Sequence, residues 1–172
     1  MKKVILLSLL FIAAVAVKAQ EPVFVKGDKA VNVGIGFDNY LNLSLSGEMG
    51  IMDGIADKGT IGAGVYAGAG TYLLHSSWYA NHYRAMAGVR GTFHYPIIEK
   101  LDTYAGIGVG LEYWSYKYNS SYWGYDDYSY NGVDLDAGFF IGARYPLTQK
   151  FTVFGELGYG IGYLTAGISF KF

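Results

Sequence analysis

The chain has 172 residues, 13 Lys and Arg against 14 Asp and Glu, and no cysteine. That is enough for one domain; it excludes disulfides, thiolate metal sites and lipid attachment through cysteine. A near-neutral, slightly acidic balance argues against nucleic acid as a partner, which would call for a basic patch.

Residues 1–19 read as a signal peptide. Lys2 and Lys3 form a positive start, Val4 to Val17 an apolar stretch, and Val17-Lys18-Ala19 places small side chains before an expected cut at Gln20. The apolar stretch is shorter than the roughly 20 residues a spanning helix needs. Removing Lys2, Lys3 and Lys18 takes the net charge from −1 to −4. No later stretch has 18 apolar residues in a row, so no transmembrane helix is expected. Residues 20–172 are expected to form one barrel domain.

From residue 31 onward the pattern has a period of two. We read strands at 31–37, 41–49, 61–71, 83–95, 101–113, 133–145, 151–161 and 164–172. In the first seven the odd positions carry no charge, as in Val31, Val33, Ile35 and Phe37, or Ile107, Val109 and Leu111. In the last strand the even positions do the same: Leu164, Ala166, Ile168, Phe170 and Phe172. Side chains alternate across a strand. One face is therefore apolar, and every strand charge falls on the other. A barrel in lipid requires this, with strands of about 9–11 residues.

Glycine is abundant on the charged parity, for example Gly62, Gly64, Gly68 and Gly70, or Gly106, Gly108 and Gly110. The interior of an eight-stranded barrel is barely wide enough for side chains, and glycine makes room for a neighbouring Tyr or Arg. These runs are not phosphate loops, because they lie within strands and no helix follows.

Three connections, 50–60, 96–100 and 146–150, are turn-like, with Asp53-Gly54 and Lys58-Gly59 supplying turn chemistry in the longest. They alternate with segments at 38–40, 72–82, 114–132 and 162–163. With an even strand number both termini share one end, expected to be periplasmic. The change of parity between Ile161 and Leu164 calls for a tight last turn. Aromatic residues gather near strand ends, as lipid headgroup zones favour.

These features resemble the small outer-membrane β-barrels of Gram-negative bacteria: the signal sequence, the eight alternating strands and the ending Gly167-Ile168-Ser169-Phe170-Lys171-Phe172. The size is like that of the OmpA transmembrane domain and OmpX/Ail-type proteins. The Ala19-Gln20 junction and the sequence texture are similar to the β-barrel family common in Bacteroidota. The resemblance implies an all-β, up-and-down antiparallel barrel. It also implies that Ile168, Phe170 and Phe172 are read by the barrel-assembly machinery. It implies no catalytic residues and no cofactor.

The lumen-facing charges order by depth. Arg84, Glu112, Asp134 and Asp136 fall near the outer mouth, Arg90 and Glu156 midway with Glu48 somewhat lower, and Asp102 and Arg144 near the inner mouth beside His94. A buried charge needs a partner. We expect Arg84 to meet Glu112 or Asp134, Asp102 to meet Arg144, and Arg90 to meet Glu156 or Glu48. A filled, rigidified interior is the first reading. A narrow, weakly cation-favouring pore gated at Arg90 is the second.

The longest outer segment is rich in aromatics: Trp114, Tyr116, Tyr118, Tyr122, Trp123, Tyr125, Tyr128 and Tyr130. Trp114, Tyr116 and Tyr118 continue the parity of strand five, and Tyr128 and Tyr130 that of strand six. An aromatic hairpin at 114–131 offers large, rigid contact area to an extracellular protein or glycan. The plainer reading of the same residues is a rim of headgroup anchors and mouth-plugging side chains.

His75-Ser76-Ser77 has a His and a Ser at the spacing seen in outer-membrane lipid A deacylases, but no carboxylate is placed to orient the base. Lipid A modification is therefore a minor alternative. His75 and His82 make only a weak metal pair, and no metal site is assigned. A soluble lipocalin-like barrel would explain the alternation, but not the paired charges on the glycine-rich face.

Overall fold

The computed structural model describes residues 23–72, 81–118 and 128–172. They form eight strands: β1 Lys29–Phe37, β2 Tyr40–Ile55, β3 Gly59–Tyr72, β4 Asn81–Ile98, β5 Leu101–Tyr118, β6 Tyr128–Pro146, β7 Phe151–Gly158 and β8 Leu164–Lys171. Each pairs antiparallel with its sequence neighbours, and β1 pairs with β8 to close the barrel. Residues 1–19 lie outside the described residues.

Period-two alternation decides which way the wall faces. Leu135 (73 % exposed) and Ile107 (70 %) stand outward, as do Leu43, Val65, Val133 and Phe139. The most completely buried side chains are polar: Asn32, Asn42, Thr60 and Ser169. A protein bathed in water on that side would not leave so large a contiguous apolar surface uncovered. The wall is therefore apolar outside and polar inside.

Bulky lumenal side chains lie over glycines of neighbouring strands. A Cβ at Gly88 would come within 2.8 Å of the Tyr66 ring, and one at Gly142 within 2.5 Å of the Tyr104 ring. Phe140 covers Gly106, and Trp114 covers Gly132. At the seam, Phe154 covers both Gly34 and Gly167, which face each other in the β1–β8 ladder. The glycine-rich parity is thus the set of holes into which a narrow lumen fits its large side chains.

Most strands differ from the sequence reading at one end or both: β5 runs to Tyr118 rather than 113 and β6 starts at Tyr128 rather than 133, and two further differences have a local cause. β2 runs to Ile55 rather than 49, because irregularities between Gly50 and Met52 and between Met52 and Ile55 let the ladder continue to a tight turn. Ala56 and Asp57 then adopt positive φ. β7 stops at Gly158 rather than 161. Gly160 has φ +141°, in the left-handed region, and the chain there leaves the strand. Ile161 turns into the lumen, where its side chain meets Gly68. The parity rule places Ile161 on the outer face; it holds only while the backbone stays extended.

Overfilling a lumenal hole should disrupt closure, whereas the same change outside should not. A Cβ at Gly34 would sit 2.7 Å from the Ala166 carbonyl oxygen and 2.9 Å from the Phe154 ring, while one at outward-facing Gly91 meets nothing within 4 Å. Gly34→Val should lower folding stability by about 1–3 kcal/mol, and Gly91→Val should leave it within about 0.5 kcal/mol. Urea titration of the refolded protein, followed by its heat-modifiable gel mobility, measures both.

Candidate functional site

The start of β1, the end of β8 and the short turns lie at one end of the barrel, the terminal end; residues 38–39, 159–163 and the strand ends Tyr72, Asn81, Tyr118 and Tyr128 lie at the other, the loop end. Three charged layers span the lumen between them.

The layer at the terminal end is built on Arg144. Register places Arg144 opposite Asp102 in the β5–β6 ladder, and its guanidinium lies 3.3 Å from the Asp102 carboxylate. Across the barrel it also pairs with Glu48 of β2. The guanidinium plane lies over the Tyr104 ring at 4.6 Å. His94 holds Asp102 through Nδ1 at 2.8 Å and Thr92 Oγ1 through Nε2 at 3.0 Å. Thr92 in turn donates to Glu48 at 3.1 Å.

Thr92, His94 and Asp102 thus have the connectivity of a hydrolytic triad. The chemistry does not follow. The Thr92 hydroxyl gives its proton to Glu48 rather than to the imidazole, and Thr92 is 4 % exposed. Phe24 stacks on the His94 ring at 4.3 Å, where a substrate would have to enter. The group holds charge in place instead.

The middle layer is Arg90. Its guanidinium lies 2.6 Å from Glu156 Oε1, which also accepts from Tyr104 Oη at 2.9 Å. It donates to Ser46 at 3.3 Å and covers the Phe140 ring at 4.1 Å. Beside it Tyr66, Asp136, Phe140, Glu156 and Thr165 line a cavity of about 40 Å³, room for about three waters.

At the loop end Arg84 lies 2.5 Å from Asp38 and 4.0 Å from Glu112. It also donates to Asn42 at 2.8 Å and to the Ile161 carbonyl at 2.9 Å, and sits over the Tyr40 ring. The other two carboxylates there take neutral donors. Tyr66 Oη donates to Asp136 at 2.6 Å, and Trp114 Nε1 to Asp134 at 2.6 Å. Above them Tyr40, Tyr72, His82, Tyr116 and Trp114 form a chain of ring contacts across the mouth.

The nine residues selected from sequence therefore distribute over three layers. Arg90 meets Glu156, while Glu48 goes to Arg144. Arg84 has Glu112 at the edge of contact range; Asp134 is held by Trp114 instead. The short partner of Arg84 is Asp38, which the sequence reading leaves in a connection. The signal is present: 38 is even and continues the lumenal parity of Asn32, Gly34 and Gly36. Asp38 also fixes the turn, accepting from the Tyr40 amide at 2.6 Å. Of the aromatic segment, Trp114, Tyr116 and Tyr130 are described with their side chains. For Tyr118 and Tyr128 the described feature is their pairing in the ladder. Tyr122, Trp123 and Tyr125 lie outside the described residues, as do His75, Ser76 and Ser77. Among the described residues no group of acidic or His side chains is arranged to hold a metal ion.

Solved structures share this architecture. A major outer membrane protein from Thermus thermophilus superposes with TM-score 0.64 at 15% identity, over 84% of this chain and 99% of that one. Neisserial surface protein A gives 0.56 at 13% identity, over 84% and 94%. Ail, the attachment invasion locus protein of Yersinia pestis, gives 0.55 at 12% identity, over 86% and 100%. The fold is the eight-stranded up-and-down barrel of outer-membrane proteins. No family model and no curated protein sequence matches the chain.

Arg144 should be the costliest lumenal side chain to remove, because Glu48 and Asp102 would be left buried without their cation. Arg144→Met should destabilise the barrel by about 3–5 kcal/mol. The double variant Glu48→Gln, Arg144→Met should recover part of that loss. Equilibrium unfolding in urea measures both; an unchanged midpoint for the single variant would contradict the assignment.

Proposed function

We propose that the chain is an integral outer-membrane barrel with a sealed, ion-paired lumen, and that it acts as a surface docking element through the hairpin made by β5 and β6. The apolar outer wall supports the membrane placement. The shared fold of the outer-membrane proteins above supports it too. Tyr83, Tyr113, Tyr159 and Tyr163 stand outward near the loop end, and Tyr95, Tyr145 and Phe151 near the terminal end, as two headgroup belts would. Short turns at the terminal end match the periplasmic side of such barrels. Outward-facing Ile168, Phe170 and Phe172 suit recognition by the assembly machinery.

One observation carries the docking role. The β5–β6 ladder continues to Tyr118 opposite Tyr128, whereas the β6–β7 ladder ends at Phe140 opposite Gly158. Residues 128–138 of β6 have no ladder partner on that side among the described residues. At about 3.3 Å per residue, that leaves roughly 25–30 Å of tilted strand rising past β7. A free strand edge offers backbone donors and acceptors to another chain. Trp114, Tyr116 and Tyr130 add aromatic area beside it.

The charge at this end limits the partner. Among the described residues, Asp38, Glu112, Asp134 and Asp136 face a single lumenal arginine at this end, Arg84. Ail has also been solved with the heparin analogue sucrose octasulfate; the carboxylate excess here disfavours such a polyanion and favours a neutral or basic protein surface. A narrow cation-favouring pore would draw on the same carboxylates. The side chains of Arg90, Tyr104, Phe140 and Glu156 crossing the lumen weigh against it.

Two experiments test the reading. The chain lacks cysteine, so Ser120→Cys should react with a membrane-impermeant maleimide on intact cells. Reaction only after permeabilisation would overturn the orientation. Tyr116→Ser with Tyr130→Ser should reduce adhesion of expressing cells to immobilised surface proteins by about tenfold or more, a loss of at least about 1.4 kcal/mol, without changing heat-modifiable mobility. Loss of folding would assign these rings to the rim instead.

A further inference from the structure

We propose that residues 23–28 form a hinged cork that shuts the terminal end of the lumen, with Phe24 as its stopper and Gly27 as its hinge. This stretch precedes β1 and has no period-two pattern, yet Phe24 is 3 % exposed. Its ring stacks on His94 at 4.3 Å with an interplanar angle of 26°, and lies 5.8 Å from the Arg144 guanidinium. The one phenyl ring therefore covers the charged layer that would otherwise wet from this end.

The strap is seated by a small set of contacts. Gly27 donates to the Gly50 carbonyl at 2.9 Å, and Gly50 donates back to Asp28 at 2.9 Å. The Lys26 amide reaches Asp53 at 2.6 Å. Lys171 closes the loop as a catch, 2.7 Å from the Asp28 carboxylate and 2.5 Å from the Val23 carbonyl. The catch is partly exposed, at 33 % for Lys171 and 22 % for Asp28, so salt screens it. Gly27 has φ +91°, which a side chain would strain. Gly50 is required for a different reason: the Val25 carbonyl occupies the space its Cβ would take.

A stopper on a short strap, held by one screened ion pair and a few hydrogen bonds and hinged at Gly27, can lift without breaking the barrel ladder. Opening exposes Glu48, His94 and Asp102 to water and small cations from the terminal side. Local openings of this kind are governed by few contacts and occur far below the cost of global unfolding.

The test uses the absence of cysteine. Thr60 is 1 % exposed, pairs with His94 in the β3–β4 ladder and donates to Asp53, the carboxylate that also accepts from the Lys26 amide of the strap. Thr60→Cys, in the refolded full barrel, is treated with a small cationic methanethiosulfonate. With the strap intact, labelling should be slow. Adding Phe24→Ala, or Gly50→Val, which evicts the strap while keeping Phe24, should each accelerate it about tenfold or more. Asp28→Asn should give a smaller acceleration and abolish the dependence of the rate on salt. Equal rates in all folded variants would overturn the cork. So would failure of both Phe24→Ala and Gly50→Val to reach the heat-modifiable form, which would make the strap a folding element.

Discussion

Charge buried in a low-dielectric lumen must find a partner within it, and the rest of this structure follows from how that is met. Arg144 sits 3 % exposed between Glu48 and Asp102, and Arg90 is 6 % exposed against Glu156. Removing either guanidinium from water costs several kcal/mol, recovered only by well-placed counter-charges and hydrogen bonds. Asp102 is the ladder neighbour of Arg144 on β5, but the other two pairs join strands far apart in the ring: β2 with β6, and β4 with β7. Each therefore acts as a strut across the barrel as well as a neutralising pair. The wall between the two rims can then present an apolar surface outward; the outward-parity lysines of the described strands, Lys29 and Lys117, lie at strand ends.

The narrow bore imposes the second constraint. Eight strands leave too little space for large side chains at every inward position, and the chain responds by alternating rings with glycines. Tyr66 over Gly88, Tyr104 over Gly142 and Phe140 over Gly106 belong to this pattern. These same rings also carry the polar layers: Tyr66 donates to Asp136, Tyr104 to Glu156, and Phe140 supports Arg90. Packing and electrostatics are thus one arrangement, with a small cavity of about 40 Å³ beside Arg90.

The fold was legible because a period of two persists over eight segments, and extended backbone converts parity directly into inside and outside. Parity picks out the lumenal residues; with the up-and-down topology it orders them by depth, and with the antiparallel register it brings Asp102 against Arg144. It carries no information on which of several carboxylates at similar depth a long, flexible arginine reaches. Arg84 turning to Asp38 rather than chiefly to Glu112 was therefore not readable. Ile161 shows where the rule stops, since Gly160 takes the backbone out of the extended region. Phe24 was invisible for another reason: one apolar residue in an irregular segment has no repeat to set it apart, and only its fit over His94 reveals its place. The raised β5–β6 hairpin was legible in outline, since its aromatic residues keep the strand parity through Tyr118 and from Tyr128.

The central claim is that the lumen is filled and sealed, so the barrel's work lies at its surface. The most direct test is to reconstitute the folded protein in liposomes and measure the leak of potassium and of a small neutral solute across the membrane. No flux above protein-free liposomes is the predicted result. Steady flux of potassium that depends on protein dose would contradict it and make the polar layers a conduction path.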